Sequence, residues 1–493
     1  MLVTLSATKI YSGRIDTALA ENTLQHMDHV KGAVVPPNLV PRRFIHFSAD
    51  NIDINDATLD GKNTFHATQI AAWQRGPTHD NLLKNIKPSK RTTLIVPQAM
   101  ETIITANISE GTTEPHFPEV QTEWFDNSKD DNSTITAAAT DMAFMLKRQH
   151  EQPRPTWTSF NQKHSQINPE QSIVGYLPII QAPAHDIDTL NTVVQIILHI
   201  TASFQQQHAV PTVDQALFPA LMELKWANPQ YKDVLIPRLG GLHVSMNFLK
   251  ILGQHTQDSG LAEVWIESGF MGPNSTEKVL AGKSYAKGVR AHKLTVQALW
   301  QLLIPQLMPY LQEHDQELED DIENAVRSND PQDYSALVVI LASAKFHTHM
   351  TAFAQDRDPN FQFWWQYMDM VCILLRFIRA QRDGLWELHI VTFRQMLPYL
   401  HRYDHTNYAR WGCVYLAEMQ KLPDEVKDEF VKGNFVVKGS DQRFNQVSPD
   451  HSQEWLNGTG KKGGGIVGIT KTTSALNRWA LSYNLRACIA NNN

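Results

Sequence analysis

A chain of 493 residues, 42% hydrophobic and 19% charged, carries enough apolar side chains for a large core and is too hydrophobic for a disordered chain. Its net charge of −7 argues against a protein that coats nucleic acid by charge alone. Three widely separated cysteines, Cys372, Cys413 and Cys488, exclude a disulfide framework and a Cys-based zinc module.

Met1 to Ala18 has no basic stretch followed by an apolar one, and the most apolar runs, MVCILLRFIRA and LNTVVQIILHI, are short or interrupted by Arg or Gln. An intracellular protein without a membrane span is therefore expected. Residues 1–41 mix helical and loop character and end in VVPPNLVPRR, where the prolines stop any helix. RFIHFSADNIDI then has strand propensity, DATLDGKN is rich in turn residues, and TFHATQIAAWQ resumes apolar alternation, which predicts a β-hairpin.

Residues 76–168 are polar and read as a long excursion. SIVGYLPIIQA predicts a third strand and IDTLNTVVQIILHITASFQQQ an amphipathic helix. HAVPTVDQ predicts a fourth strand ending at Asp214, ALFPALMELKWANPQ a helix, DVLIPRLGGLHV a fifth strand running into a Gly-Gly turn, and SMNFLKILGQHT another helix. Residues 42–255 thus read β-β-β-α-β-α-β-α, an α/β order. Residues 256–430 carry only long helical periods and form an all-α block interrupting that unit. Residues 431–493 resume it with VKGNFVV, a short helix around PDHSQEWLNG, a glycine-rich GTGKKGGGIVG and a last helix from Ser474. This tail is locally basic, with eight Lys or Arg against three acids.

One carboxylate alone holds Mg²⁺ weakly, so a metal site must draw acids from distant sequence. Asp50 in the first strand, Asp214 at the end of the fourth and Glu454 on the tail helix stand out. Plainer readings stand beside them. Asp50 and Asp53 suit turn capping, Asp214 suits the N-cap of the helix that follows, and Glu454 suits an exposed helical acid. Asp53 rivals Asp50, because the register of the strand decides which points inward; Asp450 rivals Glu454.

FIHFSADNIDINDATLDGKNTFHAT, VDQALFPALMELKW, LGGLHVSMNFLK, DHTNYARW, KGNFVV and PDHSQEWLNG resemble, in this order, a group of transposon-derived animal proteins. That group is similar in turn to the DDE transposases with a ribonuclease-H-like core, in particular those with a helical insertion before the final Glu, as in the hAT superfamily. The resemblance runs from about Arg42 onward. It implies a ribonuclease-H-like mixed sheet in which the first and fourth strands are parallel neighbours, Asp50, Asp214 and Glu454 as catalytic metal ligands, Mg²⁺ or Mn²⁺ as cofactor, DNA strand cleavage or transfer, and a nuclear location. DNA is the expected partner, with self-association left open.

Two features support the alternative of a catalytically inactive binding module: nothing before Arg42 has zinc-finger spacing, and the net charge is acidic. GGLH, ending at His243, resembles the Cys/Asp-x-x-His element of such transposases but has Gly240 in place of Cys or Asp, which leaves His243 as its one chemically able member. Further DNA contacts fall on Trp411, flanked by Arg410 and able to stack a base or to fill a core. Lys461 and Lys462 lie in a basic loop without the order of a nucleotide-binding loop, suited to a DNA backbone or to plain solvation.

Overall fold

A computed structural model describes residues 9–28, 32–52, 54–55, 64–78, 86–108, 117–124, 132–151, 153–328, 330–355, 357–462 and 472–491. In chain order its strands are β1 (His46–Asn51), the short β2 (Ile54–Asn55) and β3 (Thr64–Phe65), β4 (Thr68–Arg75), β5 (Ser172–Tyr176), β6 (Pro211–Val213), β7 (Arg238–Leu239), β8 (Val437–Lys438) and β9 (Gln446–Val447). Five of them form a mixed sheet in the order β5-β4-β1-β6-β7. β1 and β4 are antiparallel, as are β4 and β5, whereas β1, β6 and β7 run parallel. The predicted hairpin is β1–β4, its far end carrying the β2–β3 pair.

Alternation along the hairpin separates two faces. Phe47 and Ala49, opposite Ala72 and Ile70, enter the main core with Val193, Val194 and Ile197 of the helix Ile187–Ser203. Ser48 and Asp50, opposite Ala71 and Gln69, point to the other face. There Ala71 and Trp73 pack with Val437 and Leu456, and Trp73 Nε1 donates to Ser48 Oγ at 2.8 Å. The carboxylate in the hairpin therefore lies on the face covered by the helix Pro449–Lys462.

Among the described residues, everything regular between β7 and β8 is helical, from Gly241–His255 to Asp424–Val431. Two findings differ from the sequence reading. Residues 132–147 and 157–164, inside the polar excursion, are helices that bury Phe144, Trp157 and Phe160 and pack on the same helical layer. The fifth strand is only two residues long, and GGLH is not its end: Gly241 opens the helix Gly241–His255.

The chain's two outer helices, Lys9–Leu24 and Thr473–Asn491, pack on each other, and the second lies along edge strand β5. Asn484 Oδ1 accepts from Tyr176 N at 2.6 Å, and its Nδ2 donates to Tyr176 O at 2.9 Å. Unpaired edge groups are thus capped by side chains rather than left as a template for another strand. No single helix among the described residues is long and apolar enough to cross a membrane; one bent pair, Gln332–Leu341 with Ala344–Ala354, meets that length and composition only when joined.

Candidate metal and phosphodiester centre

Strand register builds the site. Ser48 is level with Thr212, Thr212 with Arg238, and Val213 with Leu239. Gly240 N still donates to Val213 O at 2.8 Å, so the alignment persists past the last paired residues. Carried on by two residues from Ser48 and Thr212, it sets Asp50, Asp214 and Gly240 abreast on one face, on strands about 4.8 Å apart. This is the carboxyl end of three parallel strands, the edge where α/β sheets place ligands.

Gly240 contributes no side chain to that row, and Asp450 fills the space. A Cβ on residue 240 would lie 2.3 Å from Asp450 Oδ2. The same oxygen accepts from Leu242 N at 3.0 Å, from His243 N at 3.3 Å and from the ring at His243 Nδ1, 3.1 Å away. Asp450 therefore caps the N-terminus of Gly241–His255 from a distant helix, satisfying donors that have no partner within that helix and placing negative charge at its positive end. Ser448 Oγ donates to the other carboxylate oxygen.

One turn along Pro449–Lys462, Glu454 shares the face of Asp450 by the four-residue spacing and is exposed. Between them in sequence, buried Gln453 donates to Gln69 O at 2.8 Å, which ties the helix to β4 directly opposite Asp50. Asp214 has two roles at once. Its Oδ1 accepts from Leu217 N at 2.9 Å, which closes the turn ahead of the helix Phe218–Ala227, whose N-cap is Leu217 rather than Asp214, while the carboxylate remains in the charge field of the strand row.

The charges are coupled. Burial pushes the Asp50 carboxyl up to about 7, with Glu454 and Asp214 adding to the rise and His243 opposing it. Burial alone would lower the His243 imidazole, but the hydrogen bond and charge of Asp450, with Asp214 and Asp50 beside it, hold it up at about 9. Burial likewise opposes ionisation of Asp450, yet His243 and Ser448 keep its carboxyl below the usual range. His243 is thus an imidazolium at neutral pH, set among three acids. Tyr408, from the insertion helix Thr406–Gln420, is buried against Asp214 and Asp450, and burial and those charges raise its phenol. Arg238, on β7 beneath the row, is fully buried against Phe430, Phe435 and Trp386, its guanidinium 4.9, 5.5 and 5.7 Å from their ring centres.

The acids adjoin without closing. Among the described residues no group of three or more His, Cys, Asp or Glu side chains is arranged to hold a metal ion as it stands. The donor set nevertheless suits a hard divalent cation: carboxylate oxygens among which burial first, and then the charges of Glu454 and Asp214, already oppose ionisation of Asp50.

The remaining sequence candidates lie elsewhere. Asp53 falls outside the described residues, so Asp50 alone is placed. Trp411 is buried and stacked on Trp226 with ring centres 6.0 Å apart, and Phe117 is 5.4 Å away, so its face is not offered to a base. Its fate is core packing, because the aromatic residues of the helices Phe218–Ala227 and Thr406–Gln420 meet there. Arg410 is exposed and lines a separate cleft of about 450 Å³ with Phe117, Leu400 and Cys413. Lys461 and Lys462 end the helix Pro449–Lys462, and their side chains lie outside the described set, as do residues 463–471.

What sequence reasoning missed is the capping role of Asp450 and the use of Gly240. The available signal was the Asp450/Glu454 spacing, which places two acids on one helical face.

Residues 156–492 match the family described as a domain of unknown function, DUF8702, and the chain belongs to that family. The matched part contains Asp214, His243, Asp450 and Glu454, while Asp50 lies before it. No curated protein and no solved structure gives a match.

Proposed function

We propose that this is a transposase-like protein with a ribonuclease-H-like core, whose Asp50, Asp214 and Glu454 hold Mg²⁺ or Mn²⁺ for cleavage or transfer of a DNA strand. The observation that carries the reading is the in-register pair Asp50 and Asp214 at the carboxyl ends of adjacent parallel strands, with Glu454 close enough to raise the Asp50 carboxyl. A bound divalent ion supplies Lewis acidity toward a phosphodiester and lowers the pKa of an attacking hydroxyl. The chain's own part is to bring the carboxylates toward one another and to keep the His243 imidazolium beside them as a donor to a phosphate oxygen or to the departing oxygen. Such a protein acts on DNA, and in a eukaryotic cell in the nucleus.

A second reading, a nucleic-acid- or protein-binding module of the same descent without catalysis, is favoured by one observation. Asp214 spends one carboxylate oxygen on Leu217 N, 2.9 Å away, and so has one fewer to offer an ion. Labelled duplex DNA incubated with the purified chain and Mn²⁺ or Mg²⁺ separates the two. The catalytic reading expects metal-dependent nicking that falls at least a hundredfold in Asp214→Asn and Glu454→Gln, with melting curves kept. DNA binding without nicking, or nicking indifferent to Asp214→Asn, leaves the binding module.

A further inference from the structure

A second charged feature lies outside the carboxylate centre. Arg14 on the helix Lys9–Leu24 and Lys90, Arg91, Thr92 and Thr93 line an open cleft of about 570 Å³. The two segments are fastened together: Ser89 N donates to Arg14 O at 3.1 Å, Arg478 donates to Thr92 O, and Ser474 Oγ donates to Leu94 O at 2.5 Å. Arg14, Lys90 and Arg91 are exposed, and none of them has an acidic partner among the described residues. Lys87, also exposed, adds a further cation, and no acid occurs from Asn81 to Met100. In a chain of net charge −7, this concentration of unpaired cations marks a place where anions are drawn in.

We propose that this cleft holds the phosphate backbone of DNA engaged at the carboxylate centre; the proposal rests on the function argued above. Its position supports the assignment. The helix Thr473–Asn491 that carries Ser474 and Arg478 packs through Leu476, Trp479 and Ala480 on Ile52, two residues beyond Asp50. The cleft and the carboxylates therefore flank the same end of β1, separated by roughly one helix diameter plus two strand residues, on the order of 15–20 Å. That span is about five base pairs at 3.4 Å each. A polyanion rather than an apolar ligand is specified, since the lining is three cations and two hydroxyls with Ile95 as its apolar member. Cations at this distance from a cluster of acids also solve a problem that the cluster creates, because carboxylates repel the phosphates that they process.

The test is binding by the full chain to a labelled duplex in EDTA, followed by fluorescence anisotropy across a salt series. This removes metal-dependent chemistry from the readout. Arg14→Ala/Lys90→Ala/Arg91→Ala is expected to weaken binding at least tenfold at low salt and to flatten the log–log salt slope by up to about 2.7, three contacts at about 0.9 each. Lys232→Ala/Lys421→Ala/Lys427→Ala, which removes three exposed cations elsewhere, should leave the slope within about 0.5 of wild type. Equal losses in the two triple variants would overturn the proposal, as would an unchanged slope in the first or no binding by the wild-type chain. Metal-dependent nicking, present in the wild-type chain and lost in Asp214→Asn, tests the carboxylate centre separately.

Discussion

A Cβ placed on residue 240 would stand 2.3 Å from an oxygen of Asp450, so Gly240→Ala forces that carboxylate off the helix it caps. The cap serves two ends: it satisfies the amides of Leu242 and His243, and it fixes the charge of the His243 ring. Overpacking of this kind costs about 1–3 kcal/mol. The pH dependence follows from the two shifts. His243 is raised from 6.5 to about 9, so its share of stability is complete below pH 6.5 and is lost as pH rises through 9. Asp450 is held below 3.8, so its share is present above that value and is lost on acidification. The wild-type protein should therefore lose midpoint stability between pH 6.5 and 9.5, whereas Asp450→Asn should be less stable at pH 6.5 and lack that alkaline decline. Titration of the His243 ring followed by NMR checks the cause: its pKa should fall toward 6.5 or below in Asp450→Asn and in Gly240→Ala. An unmoved ring pKa in both variants would break the link between Gly240, Asp450 and His243.

At the scale of elements, the excursion helices are pinned to the insertion by a buried ion pair. Arg379 on the helix Pro359–Asp383 donates to Asp141 on Asn132–Lys147 and, at 2.7 Å, to Asn161 on Trp157–His164; Trp157 Nε1 donates to Asp141 at 2.9 Å. Removing one partner strands the other charge, whereas replacing both with apolar groups can be neutral. Arg379→Met should cost about 3–5 kcal/mol in urea unfolding, and Asp141→Leu/Arg379→Met should return to within about 2 kcal/mol of wild type. A single variant costing under about 1 kcal/mol would mean that the pair does not pin these helices. This network also explains what could be read beforehand. The hairpin, the helix Ile187–Ser203 and the helical block announce themselves by local periodicity, because their apolar faces repeat along the chain. The helices at 132–147 and 157–164 do not, because Asp141 and Asn161 among their apolar residues are satisfied by an arginine more than two hundred positions away. GGLH misleads for the same reason: without Asp450 in place its glycines suit a turn better than the opening of a helix. Asp50 and Asp214 were legible, since both end apolar strands. Lys90 and Arg91 lie in the stretch read only as a polar excursion, and folding alone sets them against Arg14.

Across the whole molecule, both ends of the chain meet beside the strand that carries Asp50. The helix Thr473–Asn491 bridges edge strand β5, the β1 end at Ile52 and the helix Lys9–Leu24, with Thr23 Oγ1 donating to Leu481 O at 3.1 Å. Its hold on the sheet combines the apolar cluster of Leu476, Trp479 and Ala480 on Ile52 and Ile179 with buried amide bonds. Asn484 pairs with both the N–H and the C=O of Tyr176, and Asn477 Oδ1 accepts from Ile179 N at 2.7 Å. Both side chains are buried, so water does not replace a lost bond, and each orphaned group costs about 1–3 kcal/mol. Asn484→Leu is nearly equal in volume and more apolar, yet it orphans two backbone groups and should destabilise by about 2–5 kcal/mol. Asn484→Asp keeps the acceptor for Tyr176 N and should recover part of that loss below the carboxylate pKa while failing above it, because a buried carboxylate facing Tyr176 O is repelled. Amide hydrogen exchange at Tyr176 reads the interaction directly. Protection should drop in Asn484→Leu ahead of global unfolding, since the helix loosens from β5 before the inner strands separate. Unchanged protection at Tyr176, with stability retained, would mean that apolar packing of Trp479 and Leu485 holds this edge by itself.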